Sequence, residues 1–363
     1  MQSIYQSRWS RRTASSMRPA FRSALGVALN ALGVALCAAG CSTSGSTNAA
    51  TPTAVSSAAA LPSWRDGPAK QTIQKFVADV TREGSPNYVP PAQRIAVFDN
   101  DGTLWSEQPL YFQFAFMLDQ VKAAAPKHPE WKNNPAFKAL VAKDYAALAS
   151  QEKQLLQLIA VANSGMTVDG YDKTIRDWLA SARHPKFNRP YTELVYQPQL
   201  ELLAYLRANG FKTFIVSGGT IEFMRPWAEK AYGIPPEQVV GSSQVVQYQM
   251  RNGQPVLVRQ PKLDFVDDGP GKPVGIYRNI GRKPILAFGN SDGDLQMLQY
   301  TASGSGPHLA LLVHHDDAVR EFAYDRTSKI GKLDKAWDEA IADGWTVVSM
   351  KDDWQTIYPA PKQ

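Results

Sequence analysis

Cysteine is nearly missing from this sequence: of 363 residues only Cys37 and Cys41 are cysteine, and both precede the part that can fold. A disulfide framework is thereby excluded, and stability must come from a buried core. Acids are missing from positions 1–40, which carry Arg8, Arg11, Arg12, Arg18 and Arg22 ahead of the apolar stretch 24–40. These arginines account for most of the formal net charge of +6, so the remainder sits near +1 and gives no reason to expect a nucleic-acid partner. A long hydrophobic run is missing too. The apolar stretch is 17 residues, broken by Asn30 and several glycines, where a bilayer span needs ~20. No internal repeat is present, which removes repeat architectures.

What the first forty residues do contain is a charged n-region followed by an apolar h-region, the layout of an export signal. The end of that layout, Leu36-Cys37-Ala38-Ala39-Gly40-Cys41-Ser42, resembles a bacterial lipoprotein signal. That resemblance implies removal of residues 1–40, lipidation of Cys41, and a protein exported to the bacterial periplasm and tethered to a membrane. A cleaved soluble periplasmic form and a retained single-span anchor are the alternatives. Residues 41–63 are rich in Ser, Thr and Ala without apolar periodicity and read as a flexible tether. The globular region then runs from about 64 to 358, enough for a core domain and one substantial insertion.

The most informative stretch follows the apolar run Ile95-Ala96-Val97-Phe98, which reads as a buried strand. It ends in Asp99-Asn100-Asp101-Gly102-Thr103, two carboxylates one residue apart at the end of a strand, where open parallel sheets bind ligands. Two acids so close repel each other unless a cation or a shared proton relieves them, so the pattern asks for a metal.

Apolar positions then recur every three or four residues for almost a hundred residues, as in Phe114, Met117, Leu118 and Val121, or Tyr171, Ile175, Trp178 and Leu179. A helix over 198–208 with a stop at Gly210 precedes the strand 213–216. A further helix carries Ile221, Met224, Ala228 and Ala231, and Arg251-Asn252-Gly253 marks a hairpin with arms 244–248 and 255–258. Strands return at 285–288, 309–313 and 345–349. Strands alternating with helices predict an α/β fold with a doubly wound parallel, Rossmann-like sheet; 64–106 and 191–363 form the core domain and 107–190 an inserted helical cap.

Three further segments sit at strand ends with residues that phosphoryl chemistry needs. Ser217-Gly218-Gly219 offers a hydroxyl and glycine amides for phosphate oxygens. Gly269-Pro270-Gly271-Lys272-Pro273 places one lysine in a glycine-bounded loop before a helix, able to neutralise a carboxylate and a phosphate together. Gly289-Asn290-Ser291-Asp292-Gly293-Asp294 gathers oxygen ligands for a hard cation. Of His314-His315-Asp316-Asp317, strand alternation lets at most one histidine aim inward, so no second metal is expected there. Cap aromatics such as Tyr111, Phe116 and Trp178 read as core before they read as a cage for a quaternary amine.

In this order, over about 94–313, the four motifs resemble the haloacid dehalogenase superfamily, and within it phosphatases of the phosphoserine phosphatase type. The resemblance implies that Asp99 is the nucleophile that becomes an aspartyl-phosphate, that Asp101 is the general acid and base, and that Ser217 and Lys272 hold the phosphate, with Gly218 beside them. It also implies Mg²⁺ held by Asp99, Asp101, Asn290 and Asp294. Here the sequence departs from the family, which has an aspartate where Asn290 stands. Asn290 is expected as the direct ligand, Asp294 through a water or a lysine contact, and Asp292 as a substitute through a small loop shift. Glu107 falls where related enzymes carry a cap residue that touches the substrate; a helix-start carboxylate is its other reading. The expected function is Mg²⁺-dependent hydrolysis of small phosphate monoesters. A phosphotransferase to an alcohol and a non-catalytic periplasmic binding protein are the alternatives; substrate and oligomeric state are not legible.

Overall fold

The computed structural model describes residues 61–361, so the leader, Cys41 and most of the tether lie outside the described residues. Among the described residues no helix is long and apolar enough to cross a membrane. The chain enters through helix α1 (Pro68–Thr81), which the sequence reading did not anticipate, and then forms strand β1 (Ile95–Phe98). Helices α2 (Phe112–Ala124), α3 (Pro135–Ala142), α4 (Tyr145–Ser150), α5 (Glu152–Ala162) and α6 (Val168–Ser181) follow. Next come α7 (Gln197–Ala208), β2 (Lys212–Thr220), α8 (Ile221–Tyr232) and the hairpin β3 (Val239–Arg251) and β4 (Gln254–Phe265). The last third holds α9 (Gly271–Asn279), β5 (Leu286–Gly289), α10 (Leu295–Ala302), β6 (Leu309–Asp316), β7 (Ala323–Tyr324), α11 (Lys335–Asp343), β8 (Thr346–Ser349) and α12 (Met350–Asp353).

The strands make one sheet in the order β4-β3-β2-β1-β5-β6-β7, with β8 also on β6. The β2, β1, β5, β6 and β8 pairings are all parallel, as is β2 with β3; the two antiparallel pairings are β3 with β4 and β6 with β7. The fold is therefore α/β with a mostly parallel central sheet, as the alternation of strands and helices predicted. Strand β1 lies in the middle, and all four of its residues are buried. Alternation sends Ala96 and Phe98 to one face and Ile95 and Val97 to the other, where each pair joins a separate apolar cluster. Loss of the Phe98 ring to alanine at this position would cost about 3–5 kcal/mol.

The helical segment between β1 and β2 divides its loyalty. Leu118, Val121, Leu140, Leu155 and Leu158 form a cluster of their own. By contrast Phe112 and Phe116 of α2 and Tyr171, Ile175 and Trp178 of α6 pack into the main core, with Phe116 5.6 Å from the Phe223 ring of α8. The β3–β4 hairpin turns at Asn252 and Gly253, both at positive φ, so that Arg251 pairs with Gln254. It reaches back to this helical segment, where the Arg259 amide donates to the Met166 carbonyl at 3.0 Å.

Candidate active site

Asp99 leaves the end of β1 with its amide donating to the Phe288 carbonyl of β5 at 2.9 Å, which pins the residue to the sheet. The chain then turns tightly: the Leu104 amide donates to the Asn100 carbonyl and the Gly102 amide to the Trp105 carbonyl, both at 2.8 Å. Gly102 has φ +74°, and a Cβ there would collide with the Asn290 and Glu107 side chains. The turn brings the Trp105 indole back onto Asp101, with Nε1 donating to Oδ1 at 2.7 Å. Trp105 is itself fixed by stacking on Trp227, centroid to centroid 4.2 Å.

Lys272 does not stand in a loop before a helix, as its glycine-bounded setting suggested. It occupies the first turn of α9, which starts at Gly271, and is 2 % exposed. Its ammonium donates to Asp99 Oδ1 at 2.7 Å, to Asp294 Oδ1 at 2.5 Å and to the Val216 carbonyl at 3.0 Å. Three donated bonds saturate an ammonium, so Lys272 is held as a rigid charge between two acids. Burial opposes that charge, but Asp294 and Asp99 outweigh it and hold the ammonium above its ordinary pKa.

The other oxygen of Asp294, Oδ2, accepts the Asn290 and Ser291 amides at 2.9 and 3.0 Å. Of the two contacts expected for Asp294, the structure shows the lysine contact. Asp292 is turned away: its Oδ1 accepts the amides of Asp334 and Ala336 at 2.9 and 3.0 Å and caps α11. It therefore does not substitute for Asn290. Asn290 is buried, with Oδ1 accepting the Thr103 hydroxyl at 3.0 Å and Nδ2 donating to Glu107 Oε1 at 2.8 Å.

Strand β2 runs past the expected end at Val216 through Thr220, and carries Ser217, Gly218 and Gly219 up to the start of α8. Ser217 is buried, its hydroxyl accepting the Gly219 amide at 3.2 Å, while Gly218 is exposed. Ser217 meets the Asp99 and Lys272 group through the backbone, because Lys272 bonds the carbonyl of the preceding residue. Thr220 is bolted to α2 by two bonds: its amide donates to Gln113 Oε1 at 2.8 Å and Gln113 Nε2 donates to its hydroxyl at 2.9 Å.

Glu107 lies in an irregular stretch ahead of α2, so it is not a helix-start carboxylate, and it is 1 % exposed. Besides Asn290, its Oε1 accepts the Tyr324 hydroxyl at 2.8 Å. Tyr324 stacks on His315 at 4.4 Å, and His315 Nε2 donates to the Gly102 carbonyl at 2.8 Å. His314 points to the other face of β6, against Trp337, so one histidine of the pair aims inward as strand alternation required. Asp267 was not singled out from the sequence. It is fully buried, and its amide donates to the Ser242 hydroxyl at 3.0 Å. The paired acids Asp267-Asp268 just before Gly269 are a visible signal, but which of them is buried depends on how α9 docks.

Burial pushes Asp99 up to about 8, with Asp294 and Asp101 adding repulsion and Lys272 opposing. It pushes Asp101 up to about 6, moderated by the Trp105 indole and Lys272. Glu107 is raised well above the carboxylate range, again by burial first, with the Tyr324 bond opposing and Asp101, Asp99 and Glu321 adding to it. Asp99 and Asp294 share the one ammonium of Lys272, and Asp101 and Glu107 stand near enough to Asp99 to repel it, an excess of acid that a hard divalent cation would relieve. Among the described residues no three His, Cys, Asp or Glu side chains form a ready-made cage. Mg²⁺ does not require one, because it keeps several waters and takes one or two carboxylates beside neutral oxygens. The oxygen-only donors at Asp99, Asp101 and Asn290 fit that chemistry.

Residues 96–299, more than half of the chain, match the sequence model of the haloacid dehalogenase-like hydrolases. No curated protein matches the chain in sequence. Among solved structures, a conserved, functionally unknown protein from Anaerococcus prevotii DSM 20548 is 17% identical, with 68% of this chain and 86% of that one covered and a TM-score of 0.43. A phosphoserine phosphohydrolase-like protein from Francisella tularensis subsp. tularensis SCHU S4 is 17% identical over 61% of this chain and 87% of its own, TM-score 0.33. A probable phosphoserine phosphatase from Vibrio cholerae is 16% identical over 69% and 65%, TM-score 0.36. The family match and the ordered motifs agree: the chain belongs to the haloacid dehalogenase-like hydrolases.

Proposed function

We propose that this hydrolase is a Mg²⁺-dependent phosphatase of small phosphate monoesters that works through an aspartyl-phosphate on Asp99. The observation that carries this reading is the Lys272 ammonium fixed 2.7 Å from Asp99 Oδ1, with Asp101 two residues on and held by Trp105. Asp99 attacks phosphorus in line as the ester oxygen leaves. Asp101, raised to about 6, is protonated in a useful fraction near neutral pH, so it donates its proton to the departing alcohol. The resulting carboxylate then takes a proton from the water that hydrolyses the phospho-aspartate. Lys272 and the amides around Ser217 and Gly218 neutralise the phosphoryl oxygens. Bound Mg²⁺, held by Asp99, Asp101 and Asn290, supplies Lewis-acid stabilisation of the same charge.

The bonds between Gln113 of α2 and Thr220 at the end of β2 support reading the helical segment after β1 as a cap, which would favour small substrates over phosphoproteins. Turnover of p-nitrophenyl phosphate with millimolar Mg²⁺ and its loss with EDTA test the reading; zero turnover in Mg²⁺ removes it. Glycerol as acceptor separates hydrolysis from phosphoryl transfer. We also propose export and lipid tethering through Cys41, which Cys41→Ser tests: the variant should leave the membrane fraction, and unchanged fractionation refutes the anchor.

A further inference from the structure

Strands β2 and β3 fall out of step at the glycine pair that follows Ser217. Ser217 lies opposite Gly241 and Thr220 opposite Ser242, so Gly218 and Gly219 have no opposite number on β3 and bulge out of the ladder. Gly241 gives them room. A Cβ on it would stand 2.6 Å from the Gly219 carbonyl oxygen, a backbone atom that cannot step aside cheaply. The next residue, Ser242, is buried, and its hydroxyl joins two segments: it accepts the Asp267 amide at 3.0 Å and donates to the Gly218 carbonyl at 2.9 Å. Both directions are fixed, since a backbone N–H only donates and a carbonyl only accepts.

This hydroxyl reaches further than its two bonds. The Gly218 carbonyl and the Gly219 N–H are opposite edges of one planar peptide, so holding the first aims the second. That N–H donates to Ser217 Oγ at 3.2 Å, and the serine hydroxyl, satisfied as an acceptor, retains its own proton to donate. On the other side, Asp267 opens the tight run into α9. The Gly271 and Lys272 amides donate to the Asp268 and Gly269 carbonyls at 2.9 and 3.1 Å, and a Cβ on Gly271 would stand 2.1 Å from the Val266 carbonyl oxygen. The placement of Asp267 is thereby passed on to Lys272. Resting on the phosphatase reading above, we propose that Ser242 is a positioning residue for phosphate, whose single hydroxyl holds the Ser217 hydroxyl and the Lys272 segment at a fixed spacing. It acts through those two groups and touches neither the substrate nor the reacting atoms.

Ser242→Ala removes the joint and leaves every charge in place. Binding of inorganic phosphate to the purified protein in Mg²⁺ is measured by isothermal titration calorimetry, beside p-nitrophenyl phosphate kinetics. The variant should weaken phosphate binding and raise KM by about tenfold each while kcat falls less than about threefold, the pattern of lost binding shared by ground and transition states. A partly unfolded population does the reverse: it lowers kcat by removing working molecules and leaves KM and the phosphate Kd where they were. That reverse pattern, or wild-type values throughout, overturns the role of Ser242 and leaves the phosphatase reading intact. A wild-type protein that neither binds phosphate nor turns over the ester overturns both. Should Ser242→Ala fail to fold, Ser242→Cys keeps the side-chain shape with only a weak donor and is read on the same two constants. A rise of about threefold or more in both supports the proposal, and a smaller change overturns it.

Discussion

Lys272 Nζ lies 2.7 Å from Asp99 Oδ1 with both side chains almost wholly out of water, so the lysine that would steady a phosphate is also the counter-charge of the proposed nucleophile. Asp294 completes the arrangement from the other side at 2.5 Å. Removing one partner from a buried ion pair leaves the rest uncompensated, at about 3–5 kcal/mol. Lys272→Ala should therefore lower the unfolding free energy by about that much in urea denaturation, together with loss of phosphatase turnover. A change below about 1 kcal/mol would mean that the acids find protons instead of needing the ammonium.

The nucleophile assignment makes a separate demand. Asp99→Asn keeps size and most contacts but removes the attacking oxygen's charge, and turnover of p-nitrophenyl phosphate should fall by at least about a thousandfold. Circular dichroism should remain that of the wild type. Residual activity near the wild-type level assigns the attack to another group.

The Trp105 indole tunes Asp101. Burial raises this acid to about 6 and the indole bond pulls it down, because Nε1–H stabilises the charged form. Trp105→Phe removes the donor, so the acid's pKa should rise and the alkaline limb of the pH–rate profile should move to higher pH by about one unit. A limb that stays in place, or moves to lower pH, would dissociate Asp101 from the profile.

Asp267 offers a test in stability alone. Burial raises it from 3.8 to about 7, with Lys272 opposing and Asp268 adding to the rise. A raised folded pKa means that the folded state keeps a proton which the unfolded chain has already released, so this group lowers stability progressively from about pH 4 to about pH 7. Asp267→Asn has nothing to titrate. Its stability relative to wild type should therefore increase across that window, by roughly 2–4 kcal/mol, in denaturation curves at pH 4 and pH 8. A difference independent of pH would show that Asp267 is already ionised in the native state.

Much of the fold was legible because local chemistry and global packing ask for the same thing. The run 95–98 is apolar at every position because β1 is covered on both faces, and Asn252-Gly253 demands the turn that β3 and β4 make. Three of the four site motifs follow the same logic, sitting at the ends of β1, β2 and β5, whereas Lys272 belongs to the first turn of α9. What could not be read depends on contacts between distant segments. Glu107 becomes buried only because 324 and 331 come to it from the far end of the chain. Asp292 and Asp294 are two residues apart, yet one caps α11 and the other grips Lys272. The motif position anticipated the lysine contact of Asp294, but not the bonds by which Asp292 caps α11. The two-residue strand β7 is too short to carry periodicity, though it positions Tyr324.

The void at Gly102 ties the history of several positions together. Its amide serves Trp105, its carbonyl serves His315, and the space left by its missing side chain is shared by Asn290 and Glu107. Glu107 and Asn290, 183 positions apart, therefore meet where a Cβ of Gly102 would stand, while His315 holds the carbonyl of the same residue. A larger residue at 290 or 107 has no slack to borrow, and a side chain at 102 must displace both neighbours at once. Drift at these sites can proceed only in concert, so descendants of this chain should change them as a set or leave them alone.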